Sequence, residues 1–206
     1  MELERKRTIL VFAGPPGSGK STITKAQKIV GEYINTDKIQ HEREISHEQA
    51  SAIAENLRLD SLIHLRSFTF ETVPSERNIN ELALAKLLGY FVVCHFIFTR
   101  DVALNIARVE MRVKEGGHFV PEEDIRNAYK KSLVLLPQLV NLSDECYVYD
   151  NTLDNDAAMN SNQSPEIIYI KSPYPYFPVY SESKYWDANS LWNLISGKYI
   201  YTESSR

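Results

Sequence analysis

Eight consecutive residues carry the clearest chemistry in this sequence. Gly14-Pro15-Pro16-Gly17-Ser18-Gly19-Lys20-Ser21 satisfies the phosphate-loop spacing G-x-x-x-x-G-K-[ST] without a departure. Glycines at these positions let backbone N–H groups curl around phosphate oxygens, and a helix beginning there adds its positive end. In such a loop Lys20 reaches the β- and γ-phosphates, the Ser21 hydroxyl ligates Mg²⁺, and Thr22 continues the first turn. A dinucleotide fingerprint would need a third glycine where Thr22 stands. The string predicts a nucleoside triphosphate site.

Four further side chains could act on a bound triphosphate. Asp37 follows a weak strand, Glu32 to Asn35, and stands 17 residues after Lys20. Open α/β sheets bind ligands at the carboxyl ends of their strands, so Asp37 is placed to accept the proton of an attacking hydroxyl. Its alternative is a cap on a helix from Lys38 to Glu42. Glu71 ends the β-rich run Phe68-Thr69-Phe70 at the same edge, where it could support Mg²⁺ through water or simply stand exposed. Arg108 and Arg112 lie i, i+4 on one helix face, away from Val102, Ile106, Val109 and Val113. Such a pair is usually solvated. Here Gly116-Gly117 and a second helix follow, predicting a helix–joint–helix lid over about residues 108–131 that carries both guanidiniums onto the phosphates. Without nucleotide the two arginines are expected to stay solvated and the glycine joint to hold no single geometry.

These residues need a scaffold, and the rest of the chain supplies one. Thr8 to Ala13 is a short apolar run of the kind buried on both faces of a parallel sheet, and Lys20 to Ile29 reads as a helix. Ser46-His47-Glu48-Gln49 has capping-box spacing and opens a helix to about Leu65. Ser75 caps a helix through Leu88, Tyr90 to Phe98 is the strongest strand, and Asp101 caps the helix bearing the arginines. Pro121 fits a first helical position, with the helix fading before Pro137. Cys146 to Tyr149 and Glu166 to Ile170 read as further strands. Alternating strands and helices predict an α/β fold with a parallel sheet and helices on both faces. Residues 1–171 form the expected domain, and 172–206, rich in proline and aromatics with Trp186 and Trp192, an extension packed on the body or a partner.

Composition excludes several classes. With 43% hydrophobic and 24% charged residues, the 206-residue chain is globular and long enough for one core. Lys and Arg number 23 against 27 Asp and Glu, a net charge of −4 that argues against broad nucleic-acid binding. Cys94 and Cys146 sit in strand-like runs as reduced thiols, no run is long enough to span a membrane, and the cytoplasm is the expected compartment. His41, His47 and His64 lack zinc-ligand spacing, and His95 reads as a core residue.

GPPGSGKST, YINTDKI, FTFETVPS, ARVEMRVKEGGHFVPEEDIRNAYKKSL and YVYDN together resemble zeta-toxin-type P-loop kinases over about residues 7 to 151. The resemblance implies a nucleoside-kinase-like sheet and transfer of the γ-phosphate of ATP to a sugar hydroxyl of UDP-N-acetylglucosamine. It gives Asp37 the role of base, lets Glu71 hold the acceptor with Thr72 nearby, and places a phosphate-contacting arginine at Arg108. His118 occupies the place of a second basic residue where the family pattern has arginine, and Arg112 could supply that charge. An antitoxin partner is implied by the resemblance alone. The expected activity is an ATP- and Mg²⁺-dependent kinase acting on a small-molecule hydroxyl such as that of a UDP-sugar. A nucleotide-dependent switch or toxin-like interaction module, and a polynucleotide 5′-hydroxyl kinase, are the alternatives.

Overall fold

The computed structural model describes residues 6–117, 119–152, 165–173, 179–180 and 186–198; His118 and most of the C-terminal extension lie outside them. Strands β1 (Thr8–Ala13), β2 (Glu32–Ile34), β3 (Phe68–Thr72), β4 (Phe91–Phe98), β5 (Glu145–Asp150), β6 (Glu166–Lys171) and β7 (Val179–Tyr180) form one sheet in the order β2-β3-β1-β4-β5-β6-β7. The first five pair in parallel. β6 and β7 add antiparallel strands at one edge, a direction that an apolar run by itself does not encode.

Alternation along β1 shows why its run is continuously apolar. Ile9, Val11 and Ala13 join a large core, while Leu10 and Phe12 join a second one. The first contains residues of α3 (His47–Ile63), α4 (Glu76–Leu87), α5 (Val102–Lys114), α6 (Glu122–Leu142) and α7 (Ala188–Ser196). The second takes Ile23 from α1 (Lys20–Ala26), so helices cover both faces. His95 lies within the second face, 2.8 Å from the Tyr149 hydroxyl and stacked between Phe12 and Tyr147. Burial pushes its imidazole down to about 4, so it is neutral at pH 7.

Several helix ends differ from their expected form, α1 among them, which stops at Ala26 and does not reach Ile29. The short α2 (Thr36–Arg43) is capped by Asn35, whose side chain accepts from Lys38 N, so Asp37 stands inside the first turn. Pro121 is the N-cap of α6 and not its first residue. Pro137 does not end α6, which continues to Leu142. An internal proline costs about 3 kcal/mol. Leu133, Leu135, Leu136, Leu139 and Val140 around it are all buried, and each contributes about 1.5–3 kcal/mol. Burial decides.

Candidate active site

Strand β1 delivers the glycine-rich loop into α1, with Gly19 as a left-handed N-cap at φ 93°. The walls press closely on this loop. A Cβ at Gly14 would lie 1.9 Å from the Ile97 carbonyl oxygen, one at Gly17 2.4 Å from that of Asn105, and one at Gly19 2.3 Å from Asn151 Nδ2. Two buried asparagines fix the loop from behind. Asn105 Nδ2 donates to the Pro16 carbonyl at 2.6 Å, and Asn151 Nδ2 to that of Ser18 at 2.8 Å. Neither asparagine stands out in the sequence as a site residue. Asn151 follows a strand end, which is a usable signal; Asn105 looks like any polar helical position.

Lys20 Nζ donates to the carbonyls of Gly14 at 2.9 Å and Pro15 at 3.0 Å. Burial lowers its ammonium to about 8 from an ordinary 10.5, opposed by the negative charges of Glu71 and Asp37. A triphosphate at the loop favours the charged form, so binding should raise this value again. From about pH 8 to 9.5, where the nucleotide-free Lys20 has lost half or more of its proton, ATP binding should take up protons, up to about one. Calorimetric titrations in buffers of different ionisation enthalpy measure this uptake directly; equal heats in all buffers at pH 8.5 would contradict the assignment of Lys20.

Glu71 gathers the next contacts. Its carboxylate accepts from Ser21 Oγ at 2.9 Å and from the Tyr33 hydroxyl at 2.5 Å. Asn35 Nδ2 donates to that same hydroxyl at 3.0 Å, so the residue that caps the helix of Asp37 also braces Glu71 through Tyr33. Burial, and then the bond to Glu71, push the Tyr33 phenol well above its ordinary value, keeping it a donor. Tyr33 and Asn35 lie in the YINTDKI segment, which by itself assigns them no role, and they are additions to the predicted set. Thr72 lines the same cleft, but its hydroxyl lies 2.9 Å from Asn78 Oδ1 and so faces the start of α4.

The arginines close the opposite wall. Arg108 is half-buried and donates from Nη2 to the Asn151 carbonyl at 2.9 Å, while its Nη1 is buried without a hydrogen-bond partner. Burial works against its charge and the nearby Asp150 sustains it. Arg112 lines the cleft with Nη1 3.9 Å from Asp37 Oδ2. The expectation that both stay solvated is therefore corrected for Arg108, whereas Arg112, with 41% of its side chain exposed, stays partly solvated. The two glycines of the joint cap the helix that carries the arginines. Gly116 takes φ 89° and donates to the Val113 carbonyl, and Gly117 donates to that of Arg112 at 2.9 Å, closing a two-bond C-terminal cap. His118, expected to assist the phosphates, lies outside the described residues.

One cleft of about 900 Å³ brings together Pro16, Gly17, Gly19, Lys20, Ser21, Thr22, Asp37, Glu71, Thr72, Arg108 and Arg112. Gly14, Pro15 and Ser18 form the back of the loop. A triphosphate fits this donor set: glycine cradle, one ammonium, and two buried polar atoms, Ser18 Oγ and Arg108 Nη1, with no protein partner. Ser21 and Glu71 offer oxygen ligands of the kind Mg²⁺ takes. Beyond Asp37 the cleft runs toward Glu55, Arg77 and Arg58. Arg58 and Glu81 form a buried two-bond ion pair at 2.8 and 3.1 Å, with the guanidinium 5.2 Å from the Phe70 ring centroid. Glu81→Ala leaves that guanidinium buried and unpaired, and is expected to cost about 3–5 kcal/mol in urea unfolding. Replacing both partners by Met and Leu should recover most of it, whereas an equal loss in the double variant would show that volume and not charge is at stake.

Fold and loop define an α/β protein with a phosphate-loop motif between β1 and α1 of a mostly parallel sheet. No family model matches the chain. An uncharacterised protein of Haemophilus influenzae is 29% identical over 127 residues, which is 58% of this chain and 91% of that protein. Among solved structures, the AvrRxo1-ORF1:AvrRxo1-ORF2 complex with sulphate ions is similar with a TM-score of 0.67 at 13% identity, over 96% of this chain and 66% of that one. The PezAT chromosomal toxin–antitoxin system of Streptococcus pneumoniae gives a TM-score of 0.51 at 19% identity, over 73% of this chain and 70% of that one. A chain of the Pnkp1/Rnl/Hen1 RNA repair complex gives 0.50 at 18% identity, over 68% of this chain and 46% of that one. This chain thus spans 66%, 70% and 46% of the length of these three solved chains. At these identities the likeness is one of fold.

Proposed function

We propose that the protein is an ATP-dependent small-molecule kinase, transferring a γ-phosphoryl group to an alcohol. The observation that carries this reading is a single cleft in which a phosphate loop and two arginines face an exposed carboxylate, Asp37. A switch needs the first two; an acceptor base serves only a transfer reaction. Lys20 and the loop N–H groups hold the triphosphate, and Arg108, with Nη1 free to donate, neutralises charge spreading over the transferring group. Asp37 takes the proton as the acceptor oxygen bonds to the γ-phosphorus and the bond to the β-phosphate oxygen breaks, releasing ADP. Bound Mg²⁺ would be held by Ser21, with Glu71 beside it, and would screen the phosphate oxygens.

Nucleotide sugars head the acceptors to try, on the strength of the resemblance to zeta-toxin-type kinases. In this reading residues 1–171 carry the groups that bind and transfer the phosphoryl group, with a lid from about 108 to 131, and the protein works in the cytoplasm where ATP is supplied. The likeness to the PezAT toxin–antitoxin system supports an antitoxin-type protein as a partner. A polynucleotide 5′-hydroxyl kinase is the second reading, favoured by the likeness to a chain of an RNA repair complex. Incubation with ATP and Mg²⁺ against a panel of nucleotide sugars, nucleosides and a 5′-hydroxyl oligonucleotide, read by mass spectrometry, separates the two. A one-phosphate gain on a small molecule supports the first, a gain only on the oligonucleotide the second, and no gain on any acceptor counts against both.

A further inference from the structure

The C-terminal extension takes no part in the chemistry above, yet one of its residues reaches the support of the phosphate loop. Trp186 is 4% exposed, its ring meets Phe98 edge-on with centroids 5.5 Å apart, and its Nε1–H donates to Asp150 Oδ2 at 2.7 Å. Asp150 closes β5, is equally buried, and accepts from Thr152 N at 2.8 Å through its other oxygen. A carboxylate this deep depends on such donors. The next residue is Asn151, and each of its polar groups ties a different part of the site. Its N–H donates to the Phe98 carbonyl at 2.8 Å, its Nδ2 holds the Ser18 carbonyl at 2.8 Å, and its own carbonyl accepts from Arg108 at 2.9 Å.

We propose that Trp186 is a positioning residue of the nucleotide site. By donating to Asp150 it holds the Asp150–Asn151 pair where Asn151 can brace the phosphate loop and seat Arg108 beside it. The C-terminal segment is then part of the working nucleotide site and more than a cover for the core. This rests on the nucleotide-binding half of the proposed function and needs no knowledge of the acceptor. The contact is directional, which sets it apart from the remainder of the described extension. Leu191 and Leu194 of α7 are buried in the main core and, being apolar, carry no hydrogen bond toward the site.

Trp186→Phe keeps an aromatic ring against Phe98 and removes the N–H together with the five-membered ring that carries it. The Kd of the full chain for a non-hydrolysable ATP analogue with Mg²⁺, titrated well below the melting temperature, should rise about tenfold, the scale of one hydrogen bond to a charged group. Leu191→Ala is the control for lost packing: it should lower the Tm while leaving the Kd within about twofold. Asp150→Asn keeps the shape and removes the charge; it should weaken binding as well, and it decides the matter if Trp186→Phe does not fold. Wild-type affinity in Trp186→Phe, or in Asp150→Asn standing for it, overturns the proposal. So does a parallel loss in Leu191→Ala, which would reduce Trp186 to ordinary packing. An analogue that fails to bind even the wild-type chain would instead remove the nucleotide site itself, and this proposal with it.

Discussion

Lys20→Ala should lower ATP-dependent turnover by about 10²-fold or more and leave the fold as stable as before. The two halves of this expectation have one cause. The ammonium is buried among loop carbonyls at a site that disfavours its charge, since its pKa is lowered to about 8. Removing it at pH 7 therefore relieves a desolvation cost that offsets the two hydrogen bonds lost, to the buried Gly14 and Pro15 carbonyls. For phosphate there is no substitute within the loop, where no other residue carries a charge. A thermal melt together with a turnover assay checks both halves. Normal turnover in the variant would remove the triphosphate from this loop.

Asp37→Asn should bind ATP as before and turn over about 10²-fold or more slowly, the usual scale of a lost general base. The structure makes this substitution cleaner than the sequence does. Because Asn35 and not Asp37 caps α2, the change does not touch the cap. Asp37 is exposed, and its contact with Arg112 at 3.9 Å is too long and too solvated to hold the helix in place. A loss of turnover cannot then be assigned to unravelling. Equal rates for the two proteins would leave Asp37 as a surface carboxylate.

How much of the fold and site was legible in the sequence depends on how local each signal is. The phosphate loop is written in eight adjacent residues, bounded by an apolar strand run on one side and by the helix after Gly19 on the other. Asp37, Glu71 and Arg108 could be placed because strand ends and helix faces are set by short periodic patterns, and the fold then carries them to one cleft. The roles of Asn105, Asn151 and Tyr33 were not legible, since their partners lie 89, 133 and 38 residues away, and a strand end or a motif segment nearby does not say what its side chains will meet. Gly116 and Gly117 show a different limit. Glycine reads as freedom, but the left-handed φ it permits is what allows a helix to close its last carbonyls. Pro137 shows a third, a local helix breaker overruled by the burial of its neighbours.

The central claim is that the cleft transfers a phosphoryl group to an alcohol, and the fate of a labelled γ-phosphate tests it most directly. With γ-labelled ATP, Mg²⁺ and the acceptor panel, ADP and labelled organic phosphate should appear in equal amounts, with the label on an alcohol oxygen and little released as inorganic phosphate. ADP matched by inorganic phosphate alone, or ATP bound and never cleaved, would contradict the claim and leave a nucleotide-dependent switch in its place.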